Sequence, residues 1–144
     1  MKSIKMGRVF LGGLLAGVLI NISEFLLHTV VLRRDFEEAM RTLNRPSAMT
    51  GGQTLVWIIF GFLIGIASVW LYAAIRPRYG PGAGTAARAG LAVWFFGSLL
   101  TAIADSNLGL FPSNVLVVSA VWELVQSVIA TILGAWTYKE ERAA

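Results

Sequence analysis

The chain has no cysteine, a single histidine, and charged side chains at only 14% of its 144 positions. Without cysteine it has no disulfides, thiolate metal sites or cysteine nucleophiles. One histidine is too few for a haem held by two histidines. An ordinary soluble domain has about 25% charged residues. With 56% hydrophobic residues and a mean hydropathy of +0.70, this chain is predicted to be an integral membrane protein.

Four apolar runs account for most of the length, and each approaches or exceeds the ~20 residues that cross a bilayer as a helix. The runs cover residues 9–32, 54–75, 86–104 and 114–138. They predict an all-α fold, a four-transmembrane-helix bundle that forms a single integral membrane domain over residues 1–144. The first run is too long for a signal peptide, so we expect it to be retained. Residues 77–85, rich in proline and glycine, predict a flexible cytoplasmic turn.

Lysine and arginine are distributed unequally between the two ends of these runs. Eight lie in the N-terminal tail, the second connection and the C-terminal tail, against four in the first connection. This bias predicts a multi-pass protein of the cell inner (plasma) membrane with both termini cytoplasmic. The net charge is +4, but the basic residues are scattered in twos and threes. We therefore expect the lipid bilayer, and no nucleic acid, as the partner of this surface.

The first connection, residues 33–52, has a helical pattern of its own. Asp35 and Glu38 resemble a capping box at the start of a helix. Apolar residues then recur at helical spacing at Phe36, Met40 and Leu43. The pattern predicts a short amphipathic interfacial helix after helix one, on the outer membrane surface. The alternative is a solvated loop, because the segment is short and charged.

Small residues spaced four apart mark the faces where membrane helices pack closely. Gly13 and Gly17 in the first run, and Gly61 and Gly65 in the second, are the predicted helix-packing positions. The tryptophans fall mostly near the ends of the runs, as interfacial anchors do. They are Trp57, Trp70, Trp94, Trp122 and Trp136.

Ionisable side chains inside apolar runs are costly in a membrane and are often functional. At a rise of 1.5 Å per residue, Glu24 and Glu123 both lie roughly 4 to 5 Å outward of the centres of their helices, so they are predicted to share a level. By the same geometry, His28 and Asp105 lie about 12 Å toward the outer face, where we expect them to meet. Two neighbouring amides, Asn21 and Gln126, complete the predicted polar site.

Several functions are compatible with this site. Two neighbouring carboxylates would share a proton and, with His28, form a proton relay or cation site for proton, ion or small-solute transport. Alternatively, the polar contacts only join helices. The chain would then be an accessory or scaffold subunit of a larger membrane complex, or part of a homo-oligomer. A third is a metal site formed by Glu24, His28 and Glu123. No catalytic residues can be identified, so we do not expect an enzyme, and the cofactor stays open.

Some segments are similar to a known family. The first connection contains EAMRTLN, and the last two runs read GLAVWFFGSLL and VWELVQSVIATILGAW. With the glycine-rich first run, these segments resemble an uncharacterised family of small four-helix bacterial membrane proteins. The resemblance implies a four-span fold and a bacterial origin, and it supplies no activity. Glu24, His28 and Glu123 match no functional motif of that family.

Overall fold

A computed structural model describes residues 4–138, and its regular structure there is entirely helical. The helices are α1 (Met6–Leu26), α2 (Arg33–Thr42), α3 (Gly51–Tyr79), α4 (Ala83–Trp94), α5 (Leu100–Leu108) and α6 (Ser113–Thr137). A π-helical turn, Leu27–Val31, extends α1, and a second one, Phe95–Leu99, joins α4 to α5.

Four of the resulting helical stretches are long and apolar enough to cross a membrane, which confirms the all-α prediction with four such helices. We call them spans one to four. They run over Met6–Val31, Gly51–Tyr79, Ala83–Leu108 and Ser113–Thr137.

The four spans form a bundle in which consecutive neighbours run antiparallel. Span one packs against spans two and four, and α4 of span three packs against the same two spans from the opposite side. The termini of the described chain meet at one end, where the backbone N–H of Lys5 donates to the Tyr138 hydroxyl at 3.2 Å. We call this end of the bundle the closed half and the opposite end the open half.

Glycines allow the helix backbones of spans one and two to touch. A Cβ atom at Gly17 would lie 2.8 Å from the Cα of Phe62, and one at Gly65 would lie 2.9 Å from the Cα of Gly17. A Cβ atom at Gly13 would overlap the backbone of Ile66. Van der Waals contact at this distance is what holds helices together in lipid, where hydrophobic exclusion contributes little.

Burial is very unequal between the two halves. The closed half contains the main core, built from alanines and a few larger residues: Val9, Ala16, Ile20, Val69, Tyr72, Ala73, Ala86, Ala89, Ala130, Ala135 and Tyr138. In the open half, all ten residues from 51 to 60 of span two are exposed, and residues 95–108 of span three include no buried residue. Spans two and three therefore pack together in the closed half and separate in the open half.

The helix limits differ from the predicted ones because helices continue beyond the apolar runs into polar flanks. Thr50 and Gln53 form a capping box that starts α3 at Gly51. At its other end α3 continues through Pro77, so the turn covers only residues 80–82, and the predicted turn over 77–85 was too long. Pro77 has no N–H to donate to the backbone oxygen of Ala73, so α3 lacks one backbone hydrogen bond near its end.

The first connection does contain a helix, α2, but it does not start as predicted. It begins at Arg33, after Leu32, which makes no side-chain cap. The predicted capping box at Asp35 and Glu38 was wrong, because Asp35 lies inside the first turn. Its carboxylate instead accepts a 3.0 Å hydrogen bond from the amide of Asn114 at the start of α6. This bond ties α2 to span four.

Candidate functional site

A pair of hydrogen bonds sets the register of spans one and four in the open half. The Gln126 amide nitrogen donates to Oε1 of Glu24 at 2.7 Å. One turn away, the Trp122 indole N–H donates to the Ser23 hydroxyl at 2.9 Å. Both donors lie on α6 and both acceptors lie near the end of α1. The carboxylate of Glu24 is thereby held against the inner face of span four.

Glu123 reaches the same region from α6, three residues before Gln126. Its side chain is partly buried, and its carboxylate is hydrogen-bonded by the side chain of Ser98 from span three. Glu24 and His28 lie close enough to interact electrostatically with it. The two glutamates thus approach each other, but each carboxylate has its own hydrogen-bond partner, Gln126 for one and Ser98 for the other.

His28 stands beside Glu24 on the following turn of span one. Its Nδ1 lies 3.0 Å from the backbone oxygen of Glu24 and 3.5 Å from carboxylate Oε2. The ring meets Phe36 of α2 edge-on, with centroids 5.4 Å apart, and Phe36 stacks on Phe111 at 6.4 Å. The imidazole is therefore positioned between the glutamate and α2.

Both π-helical turns supply a polar residue to this site. His28 belongs to the turn in span one and Ser98 to the turn in span three. A π-helical turn adds one residue to a helical turn and changes the directions of the side chains around it, and such turns are often found at functional sites. Here the two turns lie on different spans and contribute to a single cluster.

Two of the predicted site residues lie elsewhere. The amide of Asn21 donates to the backbone oxygens of Gly17 at 2.9 Å and Ile58 at 3.2 Å, so it joins spans one and two. The predicted meeting of Asp105 with His28 is not found. Within residues 4–138, the Asp105 side chain makes no hydrogen bond or ion pair, because the outer part of span three stands apart from span one.

Sequence reasoning missed the roles of Ser98, Ser23 and Trp122. Trp122 was predicted to be an interfacial anchor, yet its indole N–H is bonded inside the bundle. The same holds for Trp94, whose N–H donates to the backbone oxygen of Ala120 at 2.8 Å. One sequence signal was available for Trp122, since it precedes Gln126 by four residues and so shares its helix face.

The cluster is rich in hydrogen-bond acceptors. Gln126 is only 8% exposed, and its Oε1 is buried with no hydrogen-bond partner. The described part of the chain contains no group of three or more His, Cys, Asp or Glu side chains arranged to hold a metal ion. The metal site predicted from Glu24, His28 and Glu123 therefore has no support in the geometry.

The comparisons with known proteins add no assignment to this cluster. No protein-family model, curated protein or solved structure matches the chain.

Proposed function

We propose that this chain is a multi-pass protein of the bacterial inner membrane, with both termini cytoplasmic, that moves protons or small cations through the site at Glu24 and Glu123. The supporting observation is that partly buried carboxylates from spans one and four lie close enough to interact electrostatically in the open half. Such groups are expensive to hold in a membrane unless they bind something.

The charge balance of the site favours this proposal over a purely structural role. The ion pairs of Arg33 with Glu37 and of Arg41 with Glu38 lie on α2, away from the two glutamates of the site. His28 lies beside Glu24 and close enough to Glu123 to offset part of the charge of the two glutamates. A proton or a cation would neutralise the rest, and its binding and release would be the elementary steps of transport.

Access would come from the outer side of the membrane, where spans two and three separate. We place α2 on the outer membrane surface, as an interfacial helix. Its Ala39 is buried, while the charged side chains of Arg33, Glu37 and Arg41 are exposed. Phe36 lies over His28, so α2 would cover the outer approach to the site.

Flux measurements in liposomes test the proposal. Purified protein is reconstituted with an internal pH-sensitive dye, and a proton or cation gradient is imposed. Glu24→Gln and Glu123→Gln should each abolish flux while leaving the fold intact, because the amide keeps the shape but cannot titrate. Glu37→Gln, which alters an exposed glutamate of α2, is the matched control and should transport normally. Wild-type vesicles with no proton or cation flux at any pH would refute the proposal.

One observation favours a second candidate, an accessory or scaffold subunit of a larger complex or a homo-oligomer. Residues 51–60 are exposed on every side of α3 and include the large apolar side chains of Leu55, Trp57 and Phe60. A helix of another chain would fill this position. Cross-linking from a photoreactive residue at position 57 tests it. Adducts of a defined protein mass, together with absent flux, would favour this candidate, and adducts with lipid alone would exclude it.

A further inference from the structure

We infer that Gln126 is a ligand for a dehydrated monovalent alkali cation, with its amide oxygen acting together with the carboxylates of Glu24 and Glu123 and the hydroxyl of Ser98. This inference rests on the proposed function and specifies its substrate. It starts from one atom, Oε1 of Gln126, which is buried and has no hydrogen-bond partner.

The Gln126 amide lies at the edge of the acceptor-rich cluster, in contact with Glu24. The amide nitrogen donates a hydrogen bond to Glu24, and this bond holds the amide group against that carboxylate. A buried carbonyl oxygen without a donor is destabilising, so native proteins seldom leave one unpaired. Gln126 is more than nine-tenths buried, so bulk solvent does not reach its amide oxygen.

When both glutamates are ionised, the neighbouring side chains cannot supply the missing partner. Carboxylates only accept hydrogen bonds, and the Ser98 hydroxyl is already bonded to Glu123. The ring nitrogen of His28 nearest the cluster is directed to the backbone oxygen of Glu24. The side chains that meet near Gln126 thus offer mainly oxygen atoms, which are the ligands that hard cations prefer.

The charge of the cluster favours a monovalent cation over a divalent one. The described residues contain no group of three or more acidic or histidine ligands arranged for a metal ion. One amide oxygen, one hydroxyl and two carboxylates that can share a proton resemble instead the mixed carbonyl and carboxylate sites at which membrane transporters bind Na⁺.

Titration of the purified wild-type protein with NaCl tests the inference. The protein is kept in detergent at alkaline pH in a sodium-free buffer, and isothermal calorimetry follows binding, with choline chloride as the salt control. We expect one saturable Na⁺ site. Gln126→Met keeps the size of the side chain but removes the oxygen, and it should weaken Na⁺ binding by about tenfold or more.

A second substitution separates a ligand from a purely structural contact. Gln126→Glu restores an oxygen but removes the N–H that donates to Glu24. It should retain Na⁺ binding if position 126 is a cation ligand. If the residue serves only to bond Glu24, this variant should be as defective as Gln126→Met, and that result would overturn the inference. Gln53→Ala, an amide at the exposed start of α3, is the control for unspecific effects.

The outcomes distinguish this inference from the proposed function. Proton flux in sodium-free vesicles without any Na⁺ binding would overturn the cation site and leave proton transport standing. Binding of ammonium but not Na⁺ would also overturn it, because the site would then recognise a hydrogen-bond donor. Absence of both flux and binding would overturn both proposals.

Discussion

Gln126 and Glu24 are 102 positions apart in the sequence, yet the amide of one donates a 2.7 Å hydrogen bond to the carboxylate of the other. Interhelical hydrogen bonds in membrane proteins contribute only about 0.6 kcal/mol on average. Such a bond positions a side chain more than it holds a bundle together. The glycine contacts in the closed half must therefore provide most of the stability, and the polar cluster depends on them for its geometry.

Enlarging a packing glycine should destabilise the protein. In Gly65→Val, the new side chain would collide with the backbone of Gly17, at a cost of about 1–3 kcal/mol or more from overpacking. The midpoint of thermal unfolding in detergent should fall clearly. Gly7→Ala, in the first turns of α1 where a Cβ atom meets nothing within 4 Å, is the control and should be neutral or slightly stabilising. Equal midpoints for both variants would contradict the packing argument.

The hydrogen bond between Trp122 and Ser23 should be measurable on its own. Ser23→Ala removes the acceptor and leaves the indole N–H unpaired, which should cost about 1–3 kcal/mol if the group stays buried. Trp122→Phe together with Ser23→Ala should cost less than the sum of the single changes. Trp136→Phe, on a side chain that is 68% exposed, serves as the control. Simple additivity in unfolding free energies would show that the bond is absent.

The attachment of α2 to span four should depend on Asp35 and Asn114. Asn114→Ala removes the 3.0 Å hydrogen bond between them. Amide hydrogen exchange over residues 33–42 should then become faster, because α2 opens more often. Asp35→Ala should have the same effect, and the double variant should add little. Glu38→Ala, which changes a well-exposed residue of α2, should leave exchange near the wild-type rate.

The orientation of the chain can be tested with single cysteines, since the natural sequence has none to remove. The bias of eight basic residues against four predicts cytoplasmic termini. In intact cells, an impermeant thiol reagent should label Ser113→Cys and not Ser3→Cys. Labelling at residue 3 alone, or equal labelling at both, would reverse or abolish the proposed orientation.

The sequence predicted the features that depend on one helix at a time. Apolar length identified four helices. The distances of Glu24 and Glu123 from their helix centres predicted a shared level, and their carboxylates lie close enough to interact electrostatically. The position of Ser98 could not be predicted, because it depends on the π-helical turn of span three, and no local residue pattern marks such a turn. Asp105 was misplaced for a related reason. Depth alone cannot reveal that the outer part of span three stands away from span one.

The cap at Thr50 illustrates a different limit of sequence reasoning. Its side chain and that of Gln53 form the reciprocal bonds of a capping box. The pattern at Asp35 and Glu38 has the same spacing, with an N-cap acceptor followed by an acidic residue, yet α2 begins two residues before Asp35, at Arg33. The Asp35 carboxylate instead accepts a hydrogen bond from Asn114, which lies 79 positions along the chain.

The contrast between the two halves of the bundle also bears on how the molecule comes apart. Local opening requires little free energy where few apolar contacts are lost. Residues 100–108 of α5, with no buried residue, should therefore be the first to lose protection in native-state exchange. Ala86 and Ala89 of α4, which are fully buried, should open only with the whole protein. Among the described residues, span three would thus contain both the backbone amides that exchange earliest and those that are protected longest.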